Sequence, residues 1–115
     1  HLAFLDINPL KKGHTLVIPK EETDYIFDIK SQEYEDLWSF AKVVAKGMKK
    51  VIDCERISIV VMGLEVPHAH IHLIPFNNIQ DIDFSQPKLK ILDTINFCTS
   101  LRFVCATNLK NCCCF

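Results

Sequence analysis

The segment Pro67-His68-Ala69-His70-Ile71-His72-Leu73-Ile74-Pro75 carries three of the chain's five histidines, one at every second position. Imidazoles alternating with Ala69, Ile71 and Leu73 follow the period of a β-strand, which turns successive side chains to opposite faces. The spacing predicts a strand over 66–76, with His68, His70 and His72 on one face and apolar residues on the other. At a rise of roughly 3.4 Å per residue, neighbouring histidines of the set lie about 6.8 Å apart. Pro67 and Pro75 stand near the strand ends, where a missing N–H is tolerable.

Upstream, residues 56–62 (Arg-Ile-Ser-Ile-Val-Val-Met) read as a second strand, joined to the first by a short connection at 63–65. A long helix is predicted over 31–52. Tyr34, Leu37, Trp38, Ala41, Val44, Ala45, Met48, Val51 and Ile52 recur at i, i+3, i+4, i+7 spacing, while Lys42, Lys46, Lys49 and Lys50 take the solvated side. Ser31 is the candidate N-cap, and Glu33, Glu35 and Asp36 suit the positive end of the helix dipole. Leu37, Trp38, Val44 and Met48 are the expected buried stripe. A short helical turn is expected over 23–28. Residues 1–7 and 14–19 read as two more strands, joined through Asn8-Pro9 and Gly13 as a hairpin. Gln86-Pro87 is read as the opening of a final helix reaching about residue 98. The class is α+β.

The chain has 115 residues, the size of one domain, and can bury roughly 65% of its unfolded surface. Apolar residues make up 49% and charged ones 23%, which argues against disorder. Thirteen Lys and Arg face fourteen Asp and Glu, a net charge of −1. No global basic field exists to bind nucleic acid, so an anionic ligand must be held locally. No apolar run approaches the roughly 18 residues of a membrane helix, so no membrane partner is expected. Five of the six cysteines (Cys98, Cys105, Cys112, Cys113 and Cys114) fall in the last eighteen residues, with Cys54 apart. They are no framework spread through a fold, and no signal peptide is visible, so a cytoplasmic location is expected. Residues 1–104 are read as the domain and 105–115 as a Cys-rich tail without strand or helix period. The adjacent Cys112-Cys113-Cys114 do not match standard zinc spacing.

Three readings of the histidine row fit the residues. The first is a polar, half-exposed strand face. The second is a metal centre of neutral imidazoles, completed by Glu65 and His14. The small barrels that carry such centres are nearly all β and rich in glycine, whereas this chain has three glycines and a long helix. The third is nucleophilic catalysis on phosphorus. One imidazole attacks and forms a covalent intermediate, and its neighbours orient it and move protons near neutral pH.

His68-Ala69-His70-Ile71-His72-Leu73-Ile74 resembles the His-φ-His-φ-His-φ-φ signature of the histidine triad (HIT) family. The stretch Phe4-Leu5-Asp6-Ile7-Asn8-Pro9 through Gly13-His14-Thr15-Leu16-Val17-Ile18-Pro19-Lys20 is similar to that family's other recognisable segment. The likeness covers residues 2–76 and is greatest to the small Hint-type members. It implies an antiparallel sheet of about five strands in the intact family, with one long helix packed on it. The family's leading helix-strand unit has no counterpart here, so the domain is read as N-terminally incomplete.

The resemblance also implies roles. His70 would attack the α-phosphorus of a nucleotide, His72 would hydrogen-bond the phosphate or leaving group and help deliver a proton, and the His68 carbonyl would orient the His70 ring. His14 would stand beside His72. Asp6 would bind the ribose hydroxyls, and Phe4, Ile7 and Leu16 would line the base pocket. The implied reaction is hydrolysis or nucleotidyl transfer at the α-phosphate of nucleoside phosphoramidates or dinucleoside polyphosphates. It needs no cofactor or metal, because imidazoles and backbone N–H groups can meet the developing charge. The implied partners are an AMP-type nucleotide substrate and a second copy of the chain in a homodimer. A non-catalytic nucleotide-binding scaffold is the alternative. It is motivated by Glu65, which stands where the family usually has a Ser or Thr three residues before the triad. Within the nucleotide site a carboxylate there would repel a phosphate oxygen, and would instead recognise an amine on the substrate or structure the loop.

Overall fold

The computed structural model describes residues 1–89. Four strands, β1 (Leu2–Leu5), β2 (Thr15–Ile18), β3 (Arg56–Val60) and β4 (Ile71–Phe76), form one antiparallel sheet in the order β1-β2-β4-β3. One helix, α1 (Ser31–Val51), separates β2 from β3, and single 3-10 turns occupy Ile26–Asp28 and Ile79–Ile82. The α+β class read from the sequence holds, with four strands among the described residues rather than the five of the intact family pattern.

The hairpin of β1 and β2 turns through Gly13, whose φ of 87° lies in the left-handed region that favours glycine. Its register pairs Phe4 with Leu16 and Leu5 with Thr15. Alternation then divides the sheet. Val17, Ile71 and Leu73 turn to the helix and form the core with Leu37, Ala41 and Met48, all essentially inaccessible. Trp38 and Val44 pack against this core at its margin, while Val51, counted in the apolar stripe, is 47% exposed. The opposite sheet face carries Phe4, Leu16 and His72 in one cross-strand row.

Three sequence expectations are corrected. Ser31 is the first helical residue, not the cap: Lys30 occupies the N-cap without a side-chain bond, and its carbonyl accepts from Tyr34 N–H at 2.8 Å. The strand expected from residue 66 begins at Ile71. Pro67 cannot donate to a ladder, and the next two amides are used elsewhere: His68 N–H donates to Val66 O (2.8 Å) and Ala69 N–H to Thr23 O (2.7 Å). The helix expected from Gln86-Pro87 is not formed at residues 87–89. Its remainder, the domain boundary at 104/105 and the Cys-rich tail lie outside the described residues. No helix among the described residues is long and apolar enough to cross a membrane.

Leu37 sits at the centre of the helix–sheet contact with no accessible surface. Leu37→Ala is expected to lower unfolding free energy by ~2–5 kcal/mol. Lys42→Ala, on the exposed helix face, is expected to change it by less than about 0.5 kcal/mol, both read from urea denaturation.

Candidate functional site

Pairing of β2 with β4 places Leu16 opposite His72, so His14, two residues before Leu16, becomes the diagonal neighbour of His72 on the same face. Their rings meet: His14 Nε2 and His72 Nδ1 are 2.9 Å apart. The other nitrogen of His14, Nδ1, accepts the Leu10 N–H at 3.2 Å. An amide can only donate here, so the His14 proton is on Nε2 and is given to His72 Nδ1. His72 in turn carries its proton on Nε2. The backbone of the hairpin turn thus fixes the tautomers of two buried side chains in series.

The same accounting fixes His70. Its Nδ1 lies 2.7 Å from the His68 carbonyl, which accepts only, so Nδ1 is protonated and Nε2 keeps a lone pair. The His68 ring departs from the expected shared strand face. His68 precedes the strand, and its Nε2–H donates to the Pro19 carbonyl at 3.1 Å. Of the three triad histidines only His72 lies within β4. The rings of His70 and His72 are edge to face, with centroids 4.8 Å apart.

Burial pushes the pKa of His14 down to about 4, against an opposing pull from Asp6. His72 is also lowered to about 4, chiefly by burial and then by His14 and His70. Both are neutral at pH 7, as the N–H···N bond between them requires. Asp6 lies on the same face. Its backbone N–H donates to His14 O at 2.9 Å, its Oδ1 accepts the Asn8 N–H at 2.8 Å, and its Oδ2 is 3.6 Å from His14 Nδ1. Donor atoms of Asp6, His14 and His72 fall within 4.8 Å of one another. A metal ion there would displace either the Leu10 amide or the His72 nitrogen from His14.

The remaining sequence candidates are more open. Phe4 is 39% and Ile7 53% exposed, and Leu16 is half-buried beside His72. Glu65 is exposed in the β3–β4 connection, with no hydrogen bond or ion pair among the described residues. A cleft of about 430 Å³ borders His70, lined by Ala69, Trp38, Tyr25, Phe27 and Met62 among others. Two residues absent from the sequence candidates touch the site. Phe84 meets the rings of His14 and His72, and Lys88 lies over Phe84. A lone aromatic in the polar stretch 83–88 was their one sequence signal.

A HIT domain family model matches residues 1–79. The chain belongs to the HIT domain family. It is 40% identical over 76 residues to adenosine 5'-monophosphoramidase HNT1 of Saccharomyces cerevisiae, covering 64% of this chain and 47% of that protein. It is 32% identical over 92 residues to the asymmetrical bis(5'-nucleosyl)-tetraphosphatase of Schizosaccharomyces pombe, covering 76% and 49%. The fold matches a crystal structure of a Hit-like protein from Bartonella henselae with TM-score 0.72 and 25% identity, over 87% of this chain and 76% of that one. The chain spans about half to three-fifths of the length of the curated relatives it matches.

In this HIT domain the two depressed histidines tie stability to pH. Their folded pKa values lie below the ordinary 6.5, so an unfolded chain takes up protons first as pH falls. The contribution is complete above pH 6.5 and is lost as pH drops toward about 4. The melting temperature is therefore expected to fall across that window, and to fall less steeply in His72→Asn.

Proposed function

We propose that this HIT domain hydrolyses the α-phosphate linkage of a nucleoside phosphoramidate or dinucleoside polyphosphate through a nucleotidyl group carried on His70. The observation that carries the proposal is the bond from His70 Nδ1–H to the His68 carbonyl, which leaves Nε2 as an unprotonated nucleophile. The two relatives named as a phosphoramidase and a tetraphosphatase support the substrate class.

The His70 Nε2 lone pair forms the bond to the α-phosphorus while the bond from phosphorus to the leaving nitrogen or oxygen breaks, its electron pair going to the leaving group. Water then attacks the phosphorus and loses a proton to solvent, the bond to His70 breaks with its electron pair returning to Nε2, and the nucleoside monophosphate is released. His72 presents Nε2–H to this centre. A neutral imidazole is a hydrogen-bond donor and a poor acid, so His72 Nε2–H stabilises the charge that gathers on the leaving atom, and a water molecule bridged to it delivers the proton that the leaving group takes up. Asp6 Oδ2 takes the ribose hydroxyls, and Phe4, Ile7 and Leu16 receive the base on the open sheet face. The active form is a homodimer, consistent with the exposed Ile59 on edge strand β3 and the exposed Met62 and Leu64 beyond it.

Glu65 favours a second reading, a nucleotide-binding scaffold without turnover, because a carboxylate beside the phosphate would repel it. The two are separated by AMP release from adenosine 5'-phosphoramidate, measured with and without chelator. Wild type is expected to release AMP regardless of chelator, and His70→Ala to lose roughly 10³-fold or more in kcat. Undiminished turnover in His70→Ala would sink the nucleophile assignment. Nucleotide binding without any turnover would establish the scaffold, and activity lost only with chelator would point to a metal. Asp6→Ala is expected to raise KM about ten-fold or more, as loss of hydrogen bonds to a charged acceptor does.

A further inference from the structure

The family match ends at residue 79, yet the chain beyond it returns to the histidines. Phe84 lies edge-on to His72, with centroids 5.3 Å apart and planes at 78°, and edge-on to His14 at 6.4 Å and 85°. This placement is held from several sides. Ser85 donates from its N–H and its hydroxyl to Asp83 Oδ1 (2.9 and 2.7 Å), fixing the turn that follows Phe84. Lys88 Nζ donates to the Phe84 carbonyl at 2.9 Å and stands 5.0 Å from the ring centroid. Leu89 N–H donates to Pro9 O at 2.9 Å, and Lys11 pairs with Asp81 at 2.5 Å. Both contacts fasten the segment to the hairpin turn that supplies the Leu10 N–H to His14.

We infer that Phe84 is a positioning residue of the site: its ring closes the outer side of the His14–His72 hydrogen bond against water and holds His72 so that Nε2–H faces the reacting phosphate. The second half of this statement rests on the proposed hydrolase; the first half does not. Geometry supplies the reason. His72 sits between His14 and His70 on its sheet face, and Phe84 meets both His14 and His72 with a hydrocarbon edge that offers no competing hydrogen bond. The charged or titratable groups facing His72 are Asp6 after β1, His14 before β2, His70 before β4, and Lys88 in the segment itself. Phe84 and Leu16, opposite His72 in the sheet, are apolar neighbours of this group, and removing the Phe84 ring admits water without removing a charge.

The test uses the full chain, wild type and Phe84→Ala, Phe84→Leu and Phe84→Tyr, with histidine ¹⁵N NMR titration and kcat and KM for adenosine 5'-phosphoramidate. In wild type, His14 and His72 are expected to titrate far below the ordinary imidazole value. In Phe84→Ala both midpoints move up toward about 6.5, and kcat falls about ten-fold while KM stays near wild type. Phe84→Tyr restores both, and Phe84→Leu, which keeps apolar volume without the ring, lies between. Midpoints unmoved in folded Phe84→Ala overturn the inference; if that variant fails to fold, unmoved midpoints in Phe84→Leu do the same. A wild type without turnover counts against the hydrolase alone, because the NMR midpoints still decide whether Phe84 shields the pair.

Discussion

The antiparallel pairing of β2 with β4 is the contact on which the rest depends. It sets Val17 opposite Ile71 on the helix side, where the apolar core forms with Leu37 and Met48. On the other side the same register sets Leu16 opposite His72, bringing His14 within 2.9 Å of it. A slip of one residue would turn His72 into the core and Ile71 or Leu73 out to the site. The hydrophobic burial that stabilises the domain therefore also aligns its chemistry, and neither can be altered without the other.

A second constraint is that buried polar groups need partners. His14 is 1% exposed and His72 7%, so each nitrogen left without a partner would be costly. The chain meets this with a directional series: Leu10 N–H to His14, His14 to His72. Carbonyls do the same for the others, Pro19 accepting from His68 and His68 from His70. Backbone groups fixed by the fold thus decide which nitrogen of each imidazole holds a proton. The site is preorganised because its tautomers are set by structure rather than by solvent.

Much of this was legible in the residues. The alternation of 68–72, the helical period of 31–52 and the hairpin at 8–13 each follow from local side-chain pattern, and the class came out as read, as did the helix face except at Val51. The histidines stood out because three imidazoles at every second position have few structural uses. What was hidden depends on contacts across the chain. The late start of β4 follows from where the amides of His68 and Ala69 find partners, Ala69 in a segment forty-six residues upstream. Phe84 and Lys88 carry no motif, and the anchors from Leu89 to Pro9 and from Lys11 to Asp81 bring them to the histidines. Ser31 looked like a cap by type, but the chain enters the helix one residue earlier, through Lys30.

In the proposed reaction His70, and no other histidine, bonds to phosphorus. The most direct test is mass spectrometry of the protein mixed with adenosine 5'-phosphoramidate, quenched in denaturant and digested at neutral or alkaline pH to spare a phosphorus–nitrogen bond. The account predicts an adenylyl adduct on the peptide containing residues 68–72, assigned by fragmentation to His70 and absent from His70→Gln. An adduct on His72 or His14, or AMP release by His70→Gln at the wild-type rate, would contradict it.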